Sequence, residues 1–418
     1  MFSGKDPRSL ALRVVVESLR PGRDLQMVLD RNMDPGLDPR DKGLITELAY
    51  GYLRYKGRLD FVVSSFLSNP GRLPPRLKVL MGLAAYELFF LKRIPEYATV
   101  SSAVNLARKE FGPRMASLVN AVLRQTVGVN CFDPGFYRRD KPDEAVFLSR
   151  FYSCPEWIIR MWIKDYGARA ALKYLRQSLQ KPLPGFRIAP GVDEGALSGL
   201  RVAQKIGSSV LIAEGKPRLD ELEKKGLIFR QSFAGQKAMW ELGLGQWPSP
   251  VWDMCAGRGG KALLLSTQDL DVWASDPHLH RLTGLKRLAV EQKQDIKVFA
   301  ARGQDLPLKK NPATVLVDAP CTGLGVLGRR PDTKWKRKSV DVRALKKNQQ
   351  ELLEASADVL SSGGMLIYLT CTLSRAENED QVERFLNAHQ DFELIRLYTT
   401  DPAEEPGEFF FGVSMIRH

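Results

Sequence analysis

Cysteine is scarce in this chain: five among 418 residues, at positions 131, 154, 255, 321 and 371, with no CxxC pair and four histidines in all. That scarcity excludes a disulfide framework and gives no zinc-ligand spacing, so no metal is expected. It also fits a reducing, cytoplasmic compartment. Long apolar runs are missing as well. The longest, Val79 to Leu91, is interrupted by Glu87 and is too short to span a bilayer. The N-terminus, MFSGKDPRSLALR, is charged before any apolar stretch forms, so neither a secretory leader nor a membrane span is expected. Acidic charge falls short of basic: 48 Asp and Glu face 62 Lys and Arg, a net charge of +14. Such an excess favours a polyanionic partner, nucleic acid above all, over a merely basic protein. Residues 1–140 hold 22 Lys and Arg against 14 Asp and Glu, which places much of the surplus in the first third.

What is present divides the chain. At this length, with 44% hydrophobic residues, two or three domains are expected. The segments SLALRVVVESL, DKGLITELAYGYLRYKGRLDFVVSSFL, PRLKVLMGLAAYELFFL and TVSSAVNLARKEFGPRMASLVNAVLRQ carry apolar residues at three- and four-residue spacing, with Pro and Gly between them, which predicts an all-helical domain over 1–135. From 136 to 226 a helical stretch, Glu156 to Gln177, precedes PLPGFRIAPG and SSVLIAEG, the pattern of a small α+β connector. Over 227–418 the strand-like runs SPVWDMCAG, DVWASDP, IKVFAARG, ATVLVDAP and GGMLIYLTC alternate with helical segments, predicting an α/β domain on a parallel sheet. DFELIRLYTTD and GEFFFGVSMIRH, separated by a Pro/Gly/Glu loop, read as a closing antiparallel hairpin.

Three segments carry chemistry. Asp253-Met-Cys-Ala-Gly-Arg-Gly-Gly-Lys261 follows a strand and opens a helix, so its glycines can turn tightly and bring backbone amides against a ligand. Its glycines, 257, 259 and 260, are closer together than in GxGxxG, which favours S-adenosylmethionine over a dinucleotide. Asp276 ends the next strand, where an acid binds ribose hydroxyls. Asp305, after FAARGQ, is either an adenine-binding acid or a solvated turn residue.

Asp318-Ala-Pro-Cys321 and Cys371 end successive strands, so both thiols and the acid can meet in one crevice beside the glycine-rich turn. A single such cysteine is ordinarily a small buried hydrophobe; two at neighbouring strand ends suit methylation of carbon 5 of a pyrimidine. That carbon is a poor nucleophile until a thiolate adds to carbon 6 and makes an enamine. One thiol can attack, the other can help the adduct leave, and Asp318 can serve ring N3 if burial raises its pKa.

DMCAGRGGK, DAPCTGLGVLGRRPDTKW and YLTCTLSRAENE together resemble the NOL1/NOP2/Sun family of RNA 5-methylcytosine methyltransferases, and the helical first third resembles a NusB-type RNA-binding domain. The resemblance covers nearly the whole chain. It implies a NusB-like domain, a connector serving RNA recognition, and a Rossmann-like catalytic domain. It also implies that Cys371, of the TC motif, is the nucleophile and that Cys321 assists release. The methyl donor S-adenosylmethionine would be held by Cys255, Ala256, Gly257, Arg258, Gly259, Gly260 and Lys261, with Asp276, Asp305 and Asp318. The implied substrate is a cytosine of small-subunit 16S ribosomal RNA, methylated by a monomer in the cytoplasm.

Other readings stay in play. DNA cytosine methyltransferases attack with the cysteine of a Pro-Cys dipeptide, which Pro320-Cys321 would supply, but that use leaves Cys371 idle and the helical domain unexplained. Another RNA target, or a non-catalytic assembly factor on the same fold, are further alternatives. The chain departs from the family at Gly257 and Arg258, where alanine and proline are usual, at Cys154 and Ala189 in place of histidine and asparagine, and at Ser232 in place of aspartate. The final hairpin lacks the usual Asp-Gly before its aromatics. Arg329 to Lys347, nine basic residues and two acidic with Trp335 among them, is expected to grip RNA through phosphate contacts and stacking on Trp335.

Overall fold

A computed structural model describes residues 6–305, 308, 310–401 and 407–418. Contacts divide the chain into two compact units, Met1–Gln180 with Leu327–Arg337, and Lys181–Val326 with Lys338–His418.

The first unit is helical: α1 (Pro7–Ser18), α2 (Leu25–Asn32), α3 (Pro39–Ser64), α4 (Pro75–Phe90), α5 (Glu96–Phe111), α6 (Pro113–Val127), α7 (Glu144–Phe151) and α8 (Glu156–Ser178). Aspartates cap α1, α2, α3 and α7 by accepting a first-turn amide. The segment TVSSAVNLARKEFGPRMASLVNAVLRQ forms α5 and α6, parted at Gly112-Pro113, because proline lacks the N–H that would continue the ladder. The apolar α4 is buried on nearly all sides. Gly82 of α4 and Gly51 of α3 set the helix approach: a Cβ on Gly51 would lie 2.0 Å from the Tyr86 ring and one on Gly82 2.3 Å from Tyr52. Glu87, which interrupts the apolar run, is buried against Arg8 at 2.8 Å, as a charge in a core must be. The division at Gln180 does not coincide with the boundaries expected at 135 and 226. Helices α7 and α8 stay with the first unit, where Tyr137 bridges Phe61 and Phe151 at ring separations of 5.4 and 5.5 Å.

The second unit carries two sheets. Strands β1 (Gly185–Ile188), β2 (Arg201–Ile206), β3 (Ser209–Glu214) and β4 (Ile228–Arg230) form an antiparallel sheet in the order β2-β3-β1-β4. Helix α9 (Lys216–Lys224) lies between β3 and β4 in sequence, and its Leu219 and Leu222 share that sheet's core with Phe186, Val210 and Ile228. After α10 (Phe233–Glu241) the chain builds β5 (Val251–Asp253), α11 (Gly260–Leu265), β6 (Val272–Ser275), α12 (Leu279–Glu291), β7 (Ile296–Phe299) and β8 (Thr314–Asp318). Residues Leu327–Arg337, with the helical turn α13 (Thr333–Lys336), belong to the first unit. The sheet resumes with α14 (Ser339–Val359), β9 (Met365–Thr370), α15 (Glu379–Ala388), β10 (Phe392–Thr399) and β11 (Phe411–Arg417).

The seven strands run in the order β10-β11-β9-β8-β5-β6-β7, with β5 to β9 parallel and β11 antiparallel to both neighbours. Residues 402–406, within the loop expected between the last two strands, lie outside the described residues. Alternate side chains along each strand enter opposite cores: Val251 and Ile367 lie with α10, α11 and α12, while Trp252 and Tyr368 lie with α14 and α15. The strand order reverses between β5 and β8, and an open α/β sheet binds ligands at the carboxyl ends beside such a reversal.

Candidate active site

Every segment singled out as chemical comes to that carboxyl edge. Strand β5 ends in Asp253, which is fully buried. Neither of its oxygens has a hydrogen-bond partner of good geometry, the Cys255 amide offering only a weak one. Burial, and then the Asp318 charge, push its carboxyl up to about 7 against the pull of Lys261. Beyond it the chain turns at Gly257 and Gly259, with φ of +55° and +83°. Glycine meets that left-handed demand without strain, so the departure at Gly257 suits the turn. Arg258 is exposed. The Ala256 amide is fixed on Ser275 O at 2.9 Å, and a Cβ on Gly259 would lie 2.1 Å from Leu285. Cys255 is half-buried, its thiol pushed well above its ordinary value by burial.

Asp276 follows β6 and is buried. His278 contacts its Oδ1 through the backbone N–H at 2.8 Å and Nδ1 at 2.9 Å, and Arg281 approaches Oδ2 at 3.3 Å. Asp305 lies beyond β7, exposed, its amide on Arg302 O at 3.0 Å. Asp318 ends β8 and accepts the Lys261 ammonium at 2.5 Å. Burial draws the Lys261 pKa down, but the charge and hydrogen bond of Asp318, with Cys371 and Asp253 behind, outweigh it and leave the ammonium above its ordinary value. The acid that burial raises to about 7 is Asp253, while Asp318 is held in an ion pair.

The two thiols meet. Cys321 Sγ and Cys371 Sγ are 3.5 Å apart and half-buried. Gly325 stitches the loops together, its N–H on Cys371 O at 3.0 Å and its carbonyl accepting from Phe409 N at 2.8 Å. The hydrogen bond with Cys371 is the largest influence on Cys321, followed by burial and by the charges of Cys371 and Glu377; its pKa stands well above the ordinary thiol value. Each cysteine is followed by a threonine, and Thr322 and Thr372 meet at 2.6 Å. Sequence reasoning gave no role to this pair or to Asp253. The signals were the repeated Cys-Thr dipeptide and an aspartate closing an apolar strand.

The edge offers three features to a ligand: the buried Asp253 carboxyl without a close partner, glycine turns that admit close backbone approach, and Asp276 held by His278. The described residues hold no cluster of metal-ligating side chains, and no helix among them is long and apolar enough to cross a membrane.

Trp335, expected as a stacking platform, is half-buried. Within the first unit the Trp335 indole donates to Leu53 O at 2.7 Å, and the Lys56 and Lys334 ammonium groups lie 5.1 and 5.3 Å from its ring centre. Lys334 is fully buried and donates to Arg54 O at 3.0 Å, while Arg54 reaches Gly328 O at 2.7 Å. Part of the basic run is therefore core, held by backbone carbonyls of α3. Arg330, Lys338, Arg343 and Lys347 remain exposed. Two other departures are structural: Cys154 is fully buried, its thiol pushed up to about 12, and Ser232 caps α10 and donates to Glu408 at 3.1 Å.

The family described as 16S rRNA methyltransferase RsmB/F matches residues 245–410, and the NusB family matches residues 5–127. The chain is 30% identical to the probable ribosomal RNA small subunit methyltransferase B of Synechocystis, across 98% of this chain and 95% of that protein. It is 31% identical to ribosomal RNA small subunit methyltransferase B of Thermus thermophilus, across 92% and 88%. Among solved structures, PH0851 aligns with a TM-score of 0.78 at 20% identity, covering 100% of this chain and 99% of that one. NSun6 from Pyrococcus horikoshii, solved with SFG, aligns with a TM-score of 0.55 at 16% identity, covering 63% and 98%. At those identities the likeness is one of fold.

Proposed function

The chain belongs to the 16S rRNA methyltransferase RsmB/F family, and from that premise we propose that it methylates carbon 5 of a cytosine in small-subunit ribosomal RNA through a covalent cysteine adduct. The observation that carries the reading is the thiol pair, 3.5 Å apart beside a lysine–aspartate ion pair.

S-adenosylmethionine, when bound by the glycine-rich turn, Asp276 and the acids beside them, supplies an electrophilic methyl group. Two thiols sharing a hydrogen bond do not both ionise, and the bond to Cys371, with burial, pushes the Cys321 thiol well above its ordinary value. In the proposed mechanism Cys371 attacks carbon 6 as the thiolate, with the Lys261 cation near it. Asp318 and Lys261 present a carboxylate beside an ammonium, matching the exocyclic amine and the N3 acceptor of cytosine. Lys261 stabilises the negative charge that thiolate addition drives towards N3. Carbon 5 of the enamine takes the methyl. Cys321 then passes its thiol proton to the departing Cys371 sulfur and takes the carbon 5 proton in exchange, so the carbon–sulfur bond breaks, the ring double bond returns and both thiols end protonated.

The base must be unstacked for carbon 6 to meet a thiol. The helical first unit is the proposed RNA-binding domain. A groove of about 580 Å³ between α5 and α6, lined by Tyr97, Arg108 and Arg124 among others, suits a phosphate backbone with splayed bases, and in the second unit the exposed Lys338, Arg343 and Lys347 suit phosphate contacts of their own. The segment 136–226 is proposed to assist RNA recognition, and the enzyme to act as a cytoplasmic monomer.

Labelled S-adenosylmethionine with transcribed small-subunit ribosomal RNA tests the reading. Cys371→Ala should abolish methylation, and Cys321→Ala should accumulate a protein–RNA adduct that survives denaturing electrophoresis. An adduct with Cys371→Ala instead would reverse the roles and favour attack by the Pro320-Cys321 thiol. Bisulfite sequencing of ribosomal RNA with and without the enzyme identifies the base.

A further inference from the structure

Beneath the thiols, the two cysteine loops are fastened together by a side chain that the chemistry above leaves unused. Glu377, in the turn Arg375–Glu377, is wholly buried. Its Oε2 accepts the backbone N–H of Thr322 at 2.9 Å and the Gln349 amide at 3.1 Å, and its Oε1 lies 2.6 Å from the Thr322 hydroxyl. Gln349 also donates to Pro320 O at 3.0 Å. The residues on either side of Cys321 are thus both held from this point. Asn378 secures the other loop, donating to Thr372 O at 3.0 Å and accepting from the Thr370 hydroxyl at 2.6 Å. The Tyr368 hydroxyl donates to Glu377 O at 2.6 Å.

A buried carboxyl is retained at a cost that well-packed apolar side chains would avoid, so this placement asks for a reason besides packing. Its geometry gives one. Cys371 directly follows β9, and that strand is paired on both sides, so the sheet itself places the thiol. Cys321 lies in an irregular loop whose flanking Pro320 and Thr322 are fixed through Gln349 and Glu377.

We propose that Glu377 is a positioning residue for adduct release: it holds Cys321 within reach of the Cys371 sulfur and takes no part in the attack. The proposal rests on the assignment of Cys371 as attacker and Cys321 as releaser. It is geometric, so an isosteric amide should serve. In Glu377→Gln the carbonyl oxygen can accept from Thr322 N–H and Gln349, and the amide can donate to the Thr322 hydroxyl, whose own proton then turns to Thr372.

The test uses full-length Glu377→Ala, Glu377→Gln and Cys321→Ala, with S-adenosylmethionine and transcribed small-subunit ribosomal RNA. Glu377→Ala should slow turnover by about 100-fold, the scale of a 1 Å misplacement of a reacting group. It should accumulate denaturation-resistant adduct as Cys321→Ala does, with KM for RNA within about twofold of wild type. Glu377→Gln should turn over within about threefold of wild type and trap no adduct. A merely structural role would lower the folded fraction, followed by circular dichroism, without raising adduct per folded molecule. Loss of turnover in Glu377→Ala with no excess adduct, while Cys321→Ala traps it, overturns the proposal. If Cys321→Ala traps nothing, the release assignment itself falls. Should Glu377→Ala not fold, Thr322→Val removes one link of the clamp and must accumulate adduct; its failure to do so is equally decisive.

Discussion

Replacing Lys334 with methionine isolates the energetics of one buried amine. Lys334 is fully enclosed in the first unit. Burial, opposed by Cys154 and reinforced by Arg54 and Arg58, brings its pKa from 10.5 down to about 7. A lysine with a lower pKa folded than unfolded loses its proton first in the native state. Between about pH 7 and 10.5 the unfolded segment therefore binds more protons, and stability rises with pH; below about 7 both states hold the proton and the gain is absent. The slope approaches about 1.4 kcal/mol per pH unit, which from pH 7 to pH 9 amounts to about 2 kcal/mol, or roughly 30-fold in an opening equilibrium. Methionine fills similar volume but does not titrate. It also forfeits the bond to Arg54 O, a loss that does not depend on pH. Hydrogen exchange of the peptide spanning residues 327–337, compared between wild type and Lys334→Met at each pH, cancels the intrinsic exchange rate. The wild-type protection factor should gain roughly 30-fold on the variant between pH 7 and pH 9. A ratio that stays flat across that interval would refute the argument that Lys334 titrates inside the fold.

Three further outcomes follow from the same reasoning. Asp253, raised to about 7 from 3.8, keeps a proton in the native state that the unfolded chain has shed. Stability without ligand should therefore fall as pH rises from about 4 to 7, by at most about 4 kcal/mol, and thermal melts of Asp253→Asn should lack that component. In Gly325→Ala the new Cβ would lie 2.4 Å from Phe409 O and 2.8 Å from Cys371 O, so methylation should drop about 100-fold while circular dichroism shows a folded protein. Trp335→Ala should lower the melting temperature and leave the salt dependence of RNA binding unchanged, whereas Arg343→Ala should leave melting unchanged and reduce the slope of log affinity against log salt by about one.

The strands and most helices were legible because their signals are local. Apolar runs such as VLVD and LIYLT must be buried on both faces of a parallel sheet, and three- and four-residue spacing marks the helices of the first unit. The position of the site followed, since strand ends beside a reversal of strand order form a crevice whatever the loops contain. Longer-range facts were not legible. Nothing in RRPDTKWKRK distinguishes an exposed basic stripe from a plug: Lys334 is buried because Arg54 O and Leu53 O of α3 face the α13 turn, a pairing across most of the chain. Contacts also join residues beyond 135 to the first unit, because the aromatics Phe61, Tyr137 and Phe151 pack together, and aromatic content alone does not name partners. Asp253 went unremarked in the sequence: it is buried without a close partner, while Lys261 is engaged with Asp318.

In the proposed mechanism Cys371 attacks and Cys321 releases, and the two thiols, 3.5 Å apart, differ in what surrounds them. On one side stand Lys261 and Asp318: the cation lies close enough to Cys371 for each to influence the other's charge, which favours the thiolate that attack requires. On the other stands Glu377, which holds the loop of Cys321 through Thr322 and Gln349, while the hydrogen bond with Cys371 and then burial push the Cys321 thiol well above its ordinary value. Burial pushes the Glu377 carboxyl up, and the hydrogen bonds from Thr322 and Gln349 hold it back. The polarity across the pair is thus set by groups that lie in different loops and meet only when β5, β8 and β9 align. The proposed division of labour between the thiols thus rests on what surrounds each at the sheet edge: the Lys261–Asp318 pair near Cys371 and the Glu377 clamp on the loop of Cys321.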